Sequence, residues 1–113
     1  SYFIFHYTDR MPSDKLCTLL GGPIRIGESA LSQRHKDIAA ALQMITEDVM
    51  VKICTYAHEV TGSKNIVLAG GCALNSVSNG KLLSQTPFER IWIQPNATDG
   101  GTSIGAAMYI HNV

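Results

Sequence analysis

Leu68-Ala69-Gly70-Gly71-Cys72-Ala73-Leu74-Asn75 decides the predicted fold, and its pattern returns in Asp99-Gly100-Gly101-Thr102-Ser103-Ile104. Each Gly-Gly pair follows a short apolar run that predicts a buried strand, residues 65–69 in the first case and 90–94 in the second. Each pair also opens a helical pattern. If the two strands are parallel neighbours, both turns leave the sheet at its carboxyl edge, where open α/β sheets bind their ligands.

Two glycine pairs at one sheet edge predict a divided phosphate site. Glycines without a Cβ let backbone N–H groups approach an anion, and the helix that follows adds its positive N-terminal end. We therefore predict that Gly70, Gly71, Gly100 and Gly101 bind a nucleotide phosphate. The alternative is that each pair forms only a tight turn.

Two polar side chains accompany these turns. Asp99 directly precedes the second pair, where its carboxylate could hold a metal ion that carries the phosphates. Asn75 lies in the opening turn of the first helix, where its amide could reach a phosphate or a ribose. Because Asp and Asn are also common N-caps, a purely structural role is the alternative for both.

Composition limits the partners and the compartment. The 113 residues suffice for one domain, and nine basic and nine acidic side chains cancel without any run of like charge. Nucleic acid and anionic membrane surfaces are therefore not expected as partners. The three cysteines show no Cys-x-x-Cys spacing. The sequence also shows no leader and no long apolar run. Together these features predict a cytoplasmic location. The chain begins at Ser1 without a methionine, so we expect a fragment of a longer protein.

Residues 1–34 are predicted to form a strand, a short helix and a loop. The aromatic run at residues 2–7 favours the strand, and Ser13 is a suitable N-cap for a helix that Gly21 would end. The polar loop at residues 24–33 contains an arginine. Such a loop usually crosses the surface, although arginines can also close over an anion.

Residues 35–113 are predicted to form a long helix followed by a βαβα nucleotide-binding lobe. Between residues 35 and 60, apolar side chains recur at steps of three and four, as in an amphipathic helix whose apolar face lies in the core. They are Ile38, Leu42, Ile45, Val49, Ile53 and Ala57. Gly62 suits the left-handed position that ends such a helix. Two later helices are predicted over residues 73–84 and 101–111.

The histidine and serine patterns do not support covalent catalysis. His6, His35, His58 and His111 never stand three or four residues apart, so none forms the helical pair typical of a metal site. The chain also lacks a Gly-x-Ser-x-Gly elbow. Catalytic side chains therefore remain unassigned from the sequence.

Several motifs, in order and with matching spacing from about Arg25 to Ala107, carry a family resemblance. Besides the two glycine stretches they are Asp37-Ile38-Ala39-Ala40-Ala41-Leu42-Gln43, Asn79-Gly80-Lys81-Leu82-Leu83, Pro87-Phe88-Glu89-Arg90-Ile91-Trp92-Ile93-Gln94-Pro95 and Ile104-Gly105-Ala106-Ala107. They resemble the O-carbamoyltransferases of the nodulation-protein and antibiotic-tailoring type.

The resemblance implies a fold, an activity and a set of site residues. The fold would be the second lobe of an actin-like, sugar-kinase-like ATPase, similar to the threonylcarbamoyl-transfer proteins. The activity would be ATP-dependent transfer of a carbamoyl group from carbamoyl phosphate, through carbamoyladenylate, to an acceptor hydroxyl. By the same resemblance, Gly70, Gly71 and Asn75 fall on the nucleotide-binding turn, with Gly100 and Gly101 in the same cleft. Asp99 falls on an aspartate that binds a divalent metal, often iron.

The sequence also departs from the family pattern. The family often has valine at the position of Cys72 and alanine-glycine around residues 96–98. The histidine pair that completes the family's metal site is absent from this sequence, and so is a domain that cleaves carbamoyl phosphate. We therefore expect the chain alone to be inactive, to need the remainder of its parent chain, and to self-associate through exposed apolar surface. A sugar-kinase or threonylcarbamoyl-transfer lobe and a non-catalytic interaction module are the alternatives.

Overall fold

The computed structural model describes residues 2–3 and 12–113 and has a mixed α/β architecture. The described helices and strands are α1 (Asp14–Leu19), α2 (Gln33–Thr61), β1 (Asn65–Leu68), α3 (Ser76–Gln85), β2 (Arg90–Ile93) and α4 (Gly101–Asn112). A 3₁₀ turn, Gly71–Leu74, stands between β1 and α3. The chain divides into two compact units, Ser1–Leu42 and Gln43–Val113.

The sheet consists of β1 and β2, which pair in parallel. Their register runs from Asn65 opposite Arg90 to Leu68 opposite Ile93. Since α3 connects them, the predicted parallel pair with an intervening helix is confirmed. Both strands therefore end at the same edge, where the two glycine turns begin.

The first unit contains the predicted short helix with its predicted cap. The Ser13 Oγ accepts a hydrogen bond from the Leu16 N–H at 3.2 Å, which confirms Ser13 as the N-cap of α1. After α1, the Gly22 N–H donates to the Cys17 carbonyl at 2.9 Å and the Gly21 N–H to that of Thr18 at 3.2 Å. These two bonds form a Schellman motif that ends the helix.

The strand predicted at residues 2–7 lies mostly outside the described residues. Within them, Phe3 forms an isolated antiparallel bridge with Pro12. Residues 4–7 belong to the part of the chain that the structure does not describe, so this prediction stays a prediction.

Helix α2 is long and ends as predicted. It covers 29 residues, and Gly62 follows it with φ of 64°. The Gly62 N–H donates to the His58 carbonyl at 2.7 Å. The left-handed backbone at Gly62 stops the helix and turns the chain towards β1.

The core of the second unit lies between α2, α3 and one face of the sheet. Its buried centre is formed by Cys54, Leu82 and Phe88, of which Cys54 is 1% exposed. The His58 ring meets Phe88 edge to face, with ring centroids 5.4 Å apart. Partly buried neighbours complete the cluster: Met50, Val51, Ala57, Ile66, Leu68 and Ile91.

The predicted core face of α2 is wrong in part: Ala57 packs against the core cluster, whereas much of the predicted stripe is exposed. Ile45 and Ile53, both on the predicted stripe, are 59% and 58% exposed. The helix instead turns Glu47 and Cys54 inward. The helix carries apolar residues on more than one side, and the stripe with Cys54 is the one that packs against Leu82 and the sheet.

The sheet and α4 also leave apolar side chains uncovered. Val67 and Trp92, paired across the sheet, are 66% and 56% exposed on the face that does not hold the core. Helix α4 has no buried residue. Among the described residues, no helix is both long and apolar enough to span a membrane.

Two glycine substitutions test the local backbone geometry. Gly62→Ala should lower the unfolding free energy of the full-length protein by about 1 kcal/mol, because alanine is strained at positive φ. Gly80→Ala is the matched control, since Gly80 lies inside α3 and a Cβ there would meet nothing within 4 Å. It should raise the unfolding free energy by about 0.5–1 kcal/mol. Urea denaturation measures both, and equal effects of the two changes would contradict the assigned helix ends.

Candidate functional site

A backbone hydrogen bond joins the first glycine turn to the loop that leads into the second. The Gly70 N–H donates to the Ala97 carbonyl at 2.6 Å, which joins the end of β1 to the loop after β2. The prediction that both turns lie at one sheet edge is therefore confirmed. Gly70 has φ of 94°, a conformation that residues with a side chain rarely adopt.

The first turn has an open surface and free hydrogen-bond donors. A Cβ built on Gly70 or Gly71 would meet nothing within 4 Å. No described residue accepts a hydrogen bond from the N–H of Gly71 or of Cys72. Adjacent N–H groups without a partner among the described residues, on an unobstructed backbone, suit an anion.

A surface cleft of about 260 Å³ lies beside this turn. Its walls come from the ends of both strands, the loop after β2 and the start of α4: Ala69, Gln94, Asn96, Ala97, Thr98, Gly101 and Thr102. The Gln94 Oε1 is buried and has no hydrogen-bond partner. A buried acceptor without a partner is costly, so this oxygen is ready to accept a hydrogen bond from a donor in the cleft.

The second glycine pair has a packing role of its own. A Cβ on Gly100 would collide with the Asn96 side chain, and a Cβ on Gly101 would collide with the Asn96 carbonyl oxygen. These glycines therefore allow the start of α4 to lie directly against the loop after β2. This close approach forms one wall of the cleft and does not itself test contact with a nucleotide.

Asp99 presents a free carboxylate at the same edge. It is exposed, and its side chain makes no hydrogen bond or ion pair with any described residue. The N-cap of α4 is Gly100, without a side-chain cap. The alternative that Asp99 serves only as the N-cap of α4 is therefore wrong. Among the described residues, no group of three His, Cys, Asp or Glu side chains could hold a metal ion.

Asn75 caps α3, and its amide is largely occupied. Its Oδ1 accepts from the Ser78 N–H at 3.0 Å and from the Gln43 Nε2 at 3.1 Å. Its Nδ2 donates to the Gln43 Oε1 at 2.9 Å. The cap explains why α3 begins at Ser76, whereas the sequence predicted a helix from residue 73.

A buried carboxylate extends this network. Glu47 is 8% exposed, its Oε1 accepts from the Gln43 Nε2 at 2.8 Å, and its Oε2 accepts from the Lys81 ammonium. The hydrogen bonds from Lys81 and Gln43 hold the pKa of Glu47 below its ordinary value of 4.5. Because a lowered carboxyl pKa stabilises the fold above the unfolded pKa, this contribution is present at neutral pH and is lost on acidification through the lowered pKa.

The cysteines of the second unit occupy opposite environments. Cys72 is exposed in the first glycine turn, and Cys54 is buried in the core. Burial raises the pKa of the Cys54 thiol. Cys72 is therefore the accessible thiol next to the free N–H groups.

Comparison with known proteins identifies the family. The profile described as Carbamoyltransferase N-terminus matches residues 3–108. The chain belongs to the carbamoyltransferase N-terminus family. The resemblance deduced from the motifs is thus confirmed.

Curated proteins of Synechocystis, Sinorhizobium fredii and Bradyrhizobium diazoefficiens resemble the chain over much of its length. An uncharacterized protein of Synechocystis is 44% identical over 110 residues, covering 97% of this chain and 18% of that protein. Nodulation protein NolNO of Sinorhizobium fredii is 42% identical over 72% of this chain and 12% of its own length. Nodulation protein NolO of Bradyrhizobium diazoefficiens is 38% identical over 70% of this chain and 14% of its own.

The chain spans less than a fifth of the length of these curated relatives. No solved structure matches it significantly. The family is therefore established by sequence, and the geometry of the site comes from this chain alone.

Alkylation of Cys72 tests whether the first turn binds phosphate. In the full-length protein, iodoacetamide should modify Cys72 and spare Cys54, since the buried thiol is inaccessible and its pKa is raised. ATP should slow modification of Cys72 several-fold, and adenosine, which has no phosphate, should not. Peptide mass spectrometry measures both rates. If ATP leaves the Cys72 rate unchanged, the turn is not a phosphate site.

Proposed function

We propose that this chain is part of an ATP-dependent carbamoyltransferase that moves a carbamoyl group from carbamoyl phosphate, through carbamoyladenylate, to an acceptor hydroxyl. The observation that supports the proposal is the Gly70 to Ala97 hydrogen bond, which joins the first glycine turn to the loop that lines the cleft before the second turn. Family membership supplies the reaction class.

The residues of the chain would bind and orient the nucleotide. The free N–H groups of Gly71 and Cys72 would donate to phosphate oxygens, which suits transfer chemistry based on positioning and electrostatic stabilisation. Gln94 would accept a hydrogen bond from a hydroxyl or amino group of the nucleotide. Gly100 and Gly101 would form the opposite wall and keep the cleft free of side chains.

Asp99 would supply one ligand of a divalent metal ion. Its carboxylate is exposed and free of partners among the described residues, as a hard or borderline cation requires. The other ligands would come from outside this chain. The cation, iron in many members of the resembled family, would contribute charge stabilisation of phosphate oxygens.

The remainder of the protein would complete the fold as well as the site. The two-stranded sheet of the described residues, with an apolar face bearing Val67 and Trp92, suits burial against further elements of an actin-like lobe. The exposed Ile45 and Ile53 of α2 suit the same role. We infer that the isolated chain neither uses ATP nor remains monomeric.

A non-catalytic interaction module is the second candidate. The observation in its favour is that none of the residues lining the cleft has a carboxylate and that Asp99 only neighbours it in sequence, so the described residues alone do not complete a metal site. In such a module the glycine turns would serve packing, as Gly100 and Gly101 do against Asn96. Loss of function on changing Asp99 separates the two candidates.

Asp99→Asn in the full-length protein is the decisive substitution. Because the Asp99 side chain is bonded to no described residue, the melting temperature should stay near that of the wild type. Metal content should fall, and carbamoyl transfer should drop on the order of 100-fold through lost electrostatic stabilisation. Metal analysis, thermal melting and a transfer assay measure these effects.

Glu59→Gln is the matched control, since it removes an exposed carboxylate of α2. It should leave melting, metal content and transfer unchanged. Asp99→Asn with normal metal content and normal transfer would remove Asp99 from the site and would favour the non-catalytic module.

A further inference from the structure

Four polar side chains form a continuous chain of hydrogen bonds between α2 and the start of α3. From Lys81 the chain runs to Glu47, then to Gln43, and ends at Asn75. Its links span 32 residues between Gln43 and Asn75 and 34 residues between Glu47 and Lys81. All four residues belong to the second compact unit.

The hydrogen bonds of this side-chain network have a fixed direction. The Ser78 N–H can only donate, so the Asn75 amide must turn its Oδ1 towards it, at 3.0 Å. The Asn75 Nδ2 then faces the Gln43 Oε1. Gln43 consequently turns its Nε2 towards Glu47, whose carboxylate can only accept.

The charged end of the network requires the same direction. Glu47 is buried, and its side chain is 11% exposed against 44% for that of Lys81. A buried carboxylate needs a charged partner, which the Lys81 ammonium supplies from α3. A carboxylate at position 47 thereby fixes the orientation of the Gln43 amide and, through it, that of the Asn75 amide.

The start of α3 is connected to the first glycine turn through two hydrogen bonds, one from the Asn75 backbone and one from the Asn79 side chain. The Asn75 N–H donates to the Cys72 carbonyl at 3.1 Å, and the Asn79 Nδ2 donates to the Ala73 carbonyl at 2.7 Å. The carbonyls of the 3₁₀ turn are thus held by the start of α3. The N–H groups of Gly71 and Cys72 remain free on the same turn.

We propose that Gln43, Glu47 and Lys81 are positioning residues that orient the Asn75 amide and so hold the Gly71 and Cys72 N–H groups in place for an anion. Asn75 then acts through the backbone of the turn, as a cap, and not as a direct nucleotide contact. This proposal rests on the proposed function for the identity of the anion, which is taken to be the phosphate of ATP.

Reversal of the ion pair tests this direction in the full-length protein. The double variant Glu47→Lys with Lys81→Glu keeps one positive and one negative charge between α2 and α3. The lysine introduced at position 47 donates to Gln43, which must then turn its Oε1 towards it. This orientation conflicts with the Asn75 Oδ1 that caps α3, so the reversed pair should not restore the cap.

Two measurements test the charge-reversed variant. Hydrogen exchange of the Ser78 backbone amide reports whether Asn75 still caps α3. Titration with ATP reports the affinity of the first glycine turn for the nucleotide. We expect faster Ser78 exchange and ATP binding on the order of fivefold to tenfold weaker, the equivalent of about 1 kcal/mol for a lost cap. A simple tether between two helices would be rescued by charge reversal, and full recovery of both readouts would overturn the proposal.

An exposed ion pair on α2 provides the matched control. Lys52 donates to Asp48 at 2.6 Å one turn away, and neither is bonded to an amide of the network. The double reversal Asp48→Lys with Lys52→Glu should change neither Ser78 exchange nor ATP affinity.

Gln43→Met tests the same chain without altering any charge. It removes the central amide and leaves the Glu47–Lys81 ion pair in place, so it remains informative if the reversed pair fails to fold. We expect the same loss of the Ser78 cap and of ATP affinity as in the reversed pair. Unchanged exchange and affinity in Gln43→Met would overturn the proposal.

Failure of the proposed function gives a different pattern. A wild-type protein that does not bind ATP would contradict the proposed function, whereas Ser78 exchange would still show whether the amide orientation depends on Glu47. Normal ATP binding by the wild type together with full rescue by charge reversal would contradict the positioning proposal alone.

Discussion

The hydrogen bond from the Gly70 N–H to the Ala97 carbonyl is the contact on which the candidate site depends. It requires the positive φ of Gly70, which turns the chain away from β1 and directs this N–H to the neighbouring loop. One such bond contributes only about 0.5–1.5 kcal/mol to stability. Its structural effect is larger, because it joins the first glycine turn to the loop that precedes the second, which is far away in the sequence.

Much of the local structure was predictable from the sequence, because it depends on residues close together along the chain. Ser13 and Gly62 mark helix ends through caps and positive φ, and the apolar runs mark the strands β1 and β2, although the predicted burial holds for only one face of each strand. Parallel pairing followed from the connection by a helix. The core face of α2 could not be predicted from its pattern, because apolar residues such as Ile53 and Cys54 lie on different sides and only the packing partner decides between them.

The candidate site could likewise be predicted from the sequence only in part. The glycine pairs and Asp99 stand next to strand ends, where a short motif is enough to indicate a sheet edge. Gln94 could have been noticed as a polar residue at the end of a buried strand, but its unpaired Oε1 becomes visible only with the cleft. Glu47 looked like an ordinary polar position of a helix, since its partner Lys81 lies 34 residues away. Long-range pairs of this kind leave no local pattern.

The central claim is that both glycine turns bind one nucleotide. Hydrogen exchange of the full-length protein with and without ATP tests it most directly, with peptides covering residues 70–75, residues 99–103 and, as a control, α1. The account predicts that ATP slows exchange in both turn segments over the same concentration range and leaves α1 unchanged. Protection of one turn without the other, or of neither, would contradict it.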